Sequence, residues 1–273
     1  MEAGPLAPSM ATQLSEAPVA VERGEGPALV FLHGFPLDHR MWEPVVAPLA
    51  SQHRVLVLDL PGYGLAEGTP APDSLHGFAE AVHRTLLRRA HGPAVIVGHS
   101  FGGYLTLELL REHPEQFAGL VLTNTRSAAD TPEAREKRLA TVRRLHDPSE
   151  RFDVDGMVRV LLAPATLETA KPLVAHVTEI VATASSRTII STLRAIADRP
   201  DLTPVLPTIR VPTLVVWGEE DHLIPPGESR AMVPLIPAAI GVEIPRAGHL
   251  PSLENPTSFA GRVGEFLGQL PAR

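Results

Sequence analysis

Short apolar runs, each closed by turn residues, punctuate the chain. The strongest are Ala28 to Leu32 (ALVFL), Val55 to Leu58 (VLVL), Ala94 to Val97 (AVIV), Gly119 to Thr123 (GLVLT) and Thr213 to Trp217 (TLVVW), with a weaker one at Ile240 to Ile244. They are continuous instead of alternating, the pattern of strands buried on both faces of a parallel sheet. Between them the apolar positions recur at helical spacing. From Ser74 to Ala90, residues Leu75, Phe78, Ala79, Val82 and Leu86 share one face, with Arg and His opposite. Asn255 and Pro256 read as the cap and first residue of a final helix with an apolar face of Phe259, Val263, Phe266 and Leu267. This alternation predicts an α/β sheet with right-handed crossovers.

The rhythm breaks at 126–200, where only helical patterns appear. In TPEAREKRLATVRRLH, Thr131 is a cap, Pro132 a start, and Glu133 and Glu136 place negative charge in the first turns. The expected organisation is a core of residues 1–125 and 201–273, a helical insertion at 126–200 over one end of the sheet, and a loose tail at 1–11.

Composition narrows the chemistry. The length, 273 residues, suits one large core. A net charge of −7 argues against nucleic acid or an anionic membrane as partner. The absence of cysteine excludes disulfides, thiolate metal sites and a cysteine nucleophile, and makes a cytoplasmic setting the simplest expectation. The first twenty residues lack the pattern of a signal peptide, and no run approaches the roughly 20 apolar residues of a membrane helix.

The sharpest chemical signal is GHSFGG at residues 98–103. A Gly-x-Ser-x-Gly match is weak alone, but this one ends a strand and opens a helix, the setting of a nucleophile elbow. On so sharp a turn, side chains at Gly98 and Gly102 would meet the neighbouring strand and helix, and the Phe101 N–H would face a developing oxyanion. A serine nucleophile needs a base, and the base needs an orienting acid. His249 in Ala247-Gly248-His249-Leu250 and Asp221 in Glu219-Glu220-Asp221-His222 each follow a strand, so a parallel sheet gathers them with Ser100 at one edge. Asn at position 124 leaves no competing acid at that strand end.

Another strand leads into His33-Gly34-Phe35, where the Phe35 N–H is the candidate second oxyanion donor and His33 a brace for the loop. Candidate pocket residues are His33, Gly34, Trp42, His99, Leu161, His222 and Leu250. For three of them a plainer reading stands beside this one: the insertion's own core for Leu161, packing behind the elbow for His99, and a solvated loop for His222. Met157, Leu162 and Leu167 could likewise line a pocket or pack within the insertion. No three metal ligands fall at ligand-like spacing, and the chemistry needs neither metal nor cofactor.

HGF, DLPGYG at 59–64, GHSFGG, GEEDHLIP and AGHLPSLENP occur in an order that resembles the α/β-hydrolase fold superfamily from about Val19 to Leu270. Within it the chain is similar to small bacterial carboxylesterases and 3-oxoadipate enol-lactonase-like hydrolases, through HGFPLDHRMW (33–42), NTRSAADTPEAREKR (124–138) and RPDLTPVLPTIRVPTLV (199–215). The resemblance implies an eight-stranded, mostly parallel sheet flanked by helices, with a helical cap inserted after the sixth strand and the first two strands near residues 12–30. Haloalkane dehalogenases and epoxide hydrolases of this fold carry Asp at the elbow, so Ser100 argues against both. The expected activity is hydrolysis of short-chain carboxylic esters by a Ser-His-Asp triad, with water and a small ester as the only partners and a monomer or homodimer as the assembly. Lactone hydrolysis is the alternative within the enzymes, and a non-catalytic ligand receptor the alternative outside them.

Overall fold

In the computed structural model, which describes residues 17–271, seven strands form one sheet. They are β1 (Val19–Arg23), β2 (Ala28–Leu32), β3 (Arg54–Leu58), β4 (Ala94–His99), β5 (Phe117–Thr123), β6 (Thr213–Gly218) and β7 (Ala239–Ile244), in the order β1-β3-β2-β4-β5-β6-β7. Only β1 runs antiparallel, against β3; the other pairs are parallel.

Alternate residues of each buried strand feed opposite cores. Leu29, Phe31, Val95 and Val97 join one apolar cluster, while Val30, Leu32 and Ile96 join the other. Both faces are therefore covered, which is why these strands read as unbroken apolar runs. The last strand, β7, lies at the edge with Ile240 exposed, and its sequence pattern is correspondingly weaker.

The sequence expectation of eight strands is one too high among the described residues. The two strands expected near 12–30 are β1 and β2, and the β5–β6 interval holds the insertion, which thus follows the fifth described strand instead of the sixth. No run beyond these seven pairs into the sheet among the described residues. The tail expected at 1–11 lies outside them.

One face carries α1 (Glu43–Leu49) and the helix Pro256–Leu267 at the other end of the chain; α2 (Leu75–Arg89) and α3 (Phe101–Glu112) cover the other. Ser74 caps α2 by accepting the Gly77 N–H at 3.1 Å. Five helices fill the insertion: α4 (Pro132–Leu145), α5 (Val154–Leu161), α6 (Pro164–Thr169), α7 (Lys171–Thr183) and α8 (Ser186–Ala197). Thr131 caps α4 through the Ala134 N–H at 3.2 Å. The insertion straddles the sheet edge: Val142, Leu145, Ile189 and Leu193 of α4 and α8 join the α2–α3 core, whereas Val158, Leu161, Val177 and Ile180 of α5 and α7 join the other.

After β6 come α9 (Pro226–Met232), α10 (Pro251–Glu254) and α11 (Pro256–Leu267). Asn255 caps α11 by accepting the Ser258 N–H, and Phe259, Val263, Phe266 and Leu267 are buried, each large side chain contributing about 1.5–3 kcal/mol. Among the described residues no helix is long and apolar enough to cross a membrane.

Candidate active site

The carboxyl ends of β4 to β7 converge, and each delivers one polar group. Ser100 follows β4 directly with φ 52° and ψ −112°, a conformation that side-chain-bearing residues rarely adopt. It is held there by its N–H to the Thr123 carbonyl at 2.9 Å and by the Thr125 hydroxyl donating to its own carbonyl at 2.8 Å. The glycines supply the clearance expected of them. A Cβ on Gly98 would run into Thr106 Oγ1, and one on Gly102 would stand 2.5 Å from the Leu32 carbonyl oxygen.

His249 and Asp221 are both fully buried at their side chains, with His249 Nδ1 2.7 Å from Asp221 Oδ2. Asp221 Oδ1 accepts the Leu223 and Ile224 N–H groups at 2.9 Å each, and Oδ2 also accepts Asn124 Nδ2 at 2.7 Å. Burial alone would raise this carboxyl. The charge and hydrogen bond of His249, with Asn124 and the Ile224 N–H, instead hold it below the usual carboxylate range. An ionised Asp221 fixes the proton of His249 on Nδ1, leaving Nε2 as the lone-pair nitrogen. That Nε2 is buried without a hydrogen-bond partner among the described residues.

Three further groups hold this arrangement, and sequence spacing gave no sign of two of them. Asn124, itself at φ 47°, bridges Asp221 and the Gly248 carbonyl, the latter at 3.2 Å. Glu254 accepts the Gly248 and Leu250 N–H groups on one oxygen, and the Ala163 N–H and Thr166 hydroxyl, both at 2.8 Å, on the other. It ties the His249 loop to the insertion, as does the His249 N–H bound to the Leu161 carbonyl at 2.9 Å. His99 is the third. Its Nε2 bonds the His249 carbonyl at 2.7 Å, and the two rings sit edge to face with centroids 4.7 Å apart. Burial, and then the neighbouring His249, lower the His99 pKa to about 3, so it is a neutral brace.

The loop after β2 packs onto the elbow. A Cβ on Gly34 would lie 3.2 Å from that of Ser100 and 2.5 Å from His99 Nδ1. His33 is fully buried and kept neutral by burial; its Nδ1 donates to the Gly34 carbonyl and its Nε2 accepts the Leu60 N–H, both at 2.9 Å. Phe101 is the first residue of α3, so its N–H has no carbonyl one turn back to bind.

A cavity of about 450 Å³ opens at Ser100, with Phe35, Phe101, Tyr104, Phe152, Met157, Leu193 and Ile196 among its walls. The candidate pocket residues fall elsewhere, and this corrects the sequence expectation. Trp42 is core, packed on Phe31 and Phe259 with centroids 4.9 and 5.9 Å away. Leu161 and Leu250 belong to the same buried cluster, and His222 is exposed. His33, Gly34 and His99 lie behind the loop and elbow they brace. Proximity in sequence to a functional loop does not choose the face on which a side chain emerges. Met157 does line the cavity, whereas Leu162 and Leu167 do not.

One possible ligand cluster escapes a reading by spacing, because it joins two helices. His76 of α2 and Glu108 and Glu112 of α3 place ligand atoms within 4.8 Å of one another. Glu108 is already engaged by Arg111 at 2.8 Å, and the cluster is no part of the arrangement around Ser100.

Comparisons with known proteins agree with this fold. A model described as "Alpha/beta hydrolase family" matches residues 29–262. The pimeloyl-[acyl-carrier protein] methyl ester esterase of Edwardsiella ictaluri is 29% identical over 243 residues, covering 87% of this chain and 92% of that protein. A thermophilic esterase from Thermogutta terrifontis, solved with malate bound, superposes with a TM-score of 0.86 at 31% identity over 92% of this chain and 93% of its own. An enol-lactonase from Burkholderia xenovorans gives 0.82 at 25% identity, covering 91% and 95% of the two chains. The elbow after β4, the parallel sheet that delivers the polar groups and the match over residues 29–262 lead to one conclusion: this chain belongs to the alpha/beta hydrolase family.

Proposed function

We propose that the chain is a serine carboxylesterase in which Ser100, His249 and Asp221 form the catalytic triad and residues 126–200 act as a cap. The observation that carries the reading is a buried His249–Asp221 pair with an unpartnered Nε2, its ring against that of the residue preceding Ser100. In this mechanism Ser100 Oγ attacks the ester carbonyl carbon while its proton passes to His249 Nε2. Asp221 stabilises the imidazolium and holds its orientation. The Phe101 and Phe35 N–H groups receive the oxyanion, each such donor being worth about 3 kcal/mol. As the carbon–oxygen bond to the alcohol breaks, His249 returns the proton to the leaving oxygen. It then takes a proton from water as that oxygen attacks the acyl carbon, and gives the proton to Ser100 Oγ as the acyl–serine bond breaks and the acid leaves.

A cavity of about 450 Å³ walled by Phe35, Phe152 and Met157 favours short acyl or alcohol groups. Equal turnover of butanoyl and hexadecanoyl nitrophenyl esters would rule that preference out. Lactone hydrolysis is the second reading, supported by the likeness to an enol-lactonase. It uses the same steps with the leaving oxygen tethered. The deciding experiment compares wild type with Ser100→Ala on nitrophenyl esters and lactones. The variant should lose about 10³-fold or more in kcat. Equal rates would rule out serine catalysis and favour a ligand receptor on the same fold.

A further inference from the structure

The cavity at Ser100 carries an unbalanced positive wall. Arg126, Lys137 and Arg138 line it, and none of its lining residues is acidic. Behind them the buried Asp130 serves three guanidiniums: Arg126 at 2.7 Å, Arg138 at 2.6 Å and Arg199 at 3.0 Å. Arg199 sits over the Tyr104 ring, its Cζ 4.2 Å from the centroid, and donates from its two terminal nitrogens to the Ile196 and Ala128 carbonyls. Glu228 stands 3.8 Å from Arg126 at the exposed margin. Four cations thus face two carboxylates, and the Nε groups of Arg126 and Arg199 are buried without partners.

Holding surplus positive charge against an apolar wall is costly unless an anion completes it. The rest of the lining around Ser100 is mostly apolar, with Phe35, Phe152, Met157 and Ile196 among it. Resting on the esterase reading above, we propose that the substrate is an ester whose chain ends in a carboxylate, such as a monoester of a dicarboxylic acid. The carboxylate docks on Arg126, Lys137 and Arg138 while the ester carbonyl lies at Ser100. Specificity then comes from charge at the far end of the chain, because a neutral ester of equal length leaves the guanidiniums unpaired.

The test compares kcat/KM for monomethyl adipate and methyl hexanoate, which share a chain length and differ by the carboxylate. Wild type should favour the acidic ester by about tenfold or more at low ionic strength, and 0.5 M salt should erode the preference. Lys137→Ala, at an exposed site on α4, and Arg138→Gln should bring the ratio towards one, mainly through KM, with Arg138→Lys recovering part of it. A wild-type ratio at or below one, or a ratio unmoved by both charge-removing variants, overturns the proposal. Calorimetry supplies a readout without turnover: Ser100→Ala should bind adipate at least about tenfold more tightly than adipamide, and adding Lys137→Ala should abolish the difference. Equal binding of the two overturns the proposal as well. Turnover of nitrophenyl acetate, with Ser100→Ala as the blank, reports separately on the esterase reading. Ser100-dependent acetate hydrolysis without acid preference defeats only the anion site, and its absence defeats the esterase.

Discussion

His99 donates its Nε2–H to the backbone carbonyl of His249 across 2.7 Å, so the residue preceding Ser100 holds the main chain of the proposed base. Replacing it as His99→Leu leaves that carbonyl buried and unpaired, at a cost of about 1–3 kcal/mol in urea unfolding at neutral pH. Turnover should fall roughly tenfold or more through kcat, since the base is displaced and not the substrate. The deficit should shrink on acidification. A histidine depressed from 6.5 to about 3 stabilises the fold above pH 6.5 and loses that contribution as pH falls towards 3. The leucine variant has none to lose.

Asn124 supplies one of the hydrogen bonds that hold the Asp221 carboxyl below its ordinary range. Asn124→Ala should let that carboxyl protonate at higher pH. The acid limb of the kcat/KM profile should then move upward, with a loss of about tenfold at neutral pH. An unshifted limb would show that Asn124 serves packing alone.

Glu254 satisfies three N–H groups and a hydroxyl that belong to two distant segments. Glu254→Ala should destabilise the fold by about 2–4 kcal/mol in chemical denaturation. Amide exchange should rise together at Ala163, Gly248 and Leu250, and an increase at only one segment would refute the bridging role.

His39 and Asp59 make a pH-dependent contact in the DLPGYG loop, with Nδ1 and Oδ2 2.8 Å apart. The hydrogen bond to Asp59 raises the His39 pKa above 6.5, so its stabilisation is complete below 6.5 and fades as pH rises through the raised value. For Asp59, burial raises the pKa, but the His39 hydrogen bond and other neighbours win and lower it beneath 3.8. Its stabilisation is complete above 3.8 and is lost as pH falls through the lowered value. The loss from His39→Ala should therefore be largest near pH 5, at about 1–2 kcal/mol, and smaller at pH 9.

The placement of the candidate residues could be read in advance because they sit next to strand ends. Ser100 follows β4 directly, Asp221 and His249 lie in the loops after β6 and β7, and an unbroken apolar run announces β4 and β6. Caps were equally legible at Thr131 and Asn255, since capping is local chemistry. What could not be read works across the chain. Asn124 meets Asp221 over 97 positions, and Glu254 meets Ala163 over 91. The cavity wall was missed for the same reason: Arg126, Arg138 and Arg199 look like ordinary charged positions until they converge on Asp130. Trp42 and Leu250 fail in the opposite sense, since both adjoin functional loops and turn into the core.

The bonds from Leu161 and Ala163 to the His249 loop have a bearing on how such proteins diversify. An insertion that sits over a sheet would seem free to be exchanged for another, changing substrate while the chemistry stays. Here the loop bearing His249 takes its main-chain shape from both sides of that junction. A recombinant that imports a foreign segment at 126–200 therefore inherits a misplaced His249 unless partners for the His249 N–H and the Glu254 carboxylate come with it. In this chain the heritable module comprises the segment around 161–166 together with 248–254.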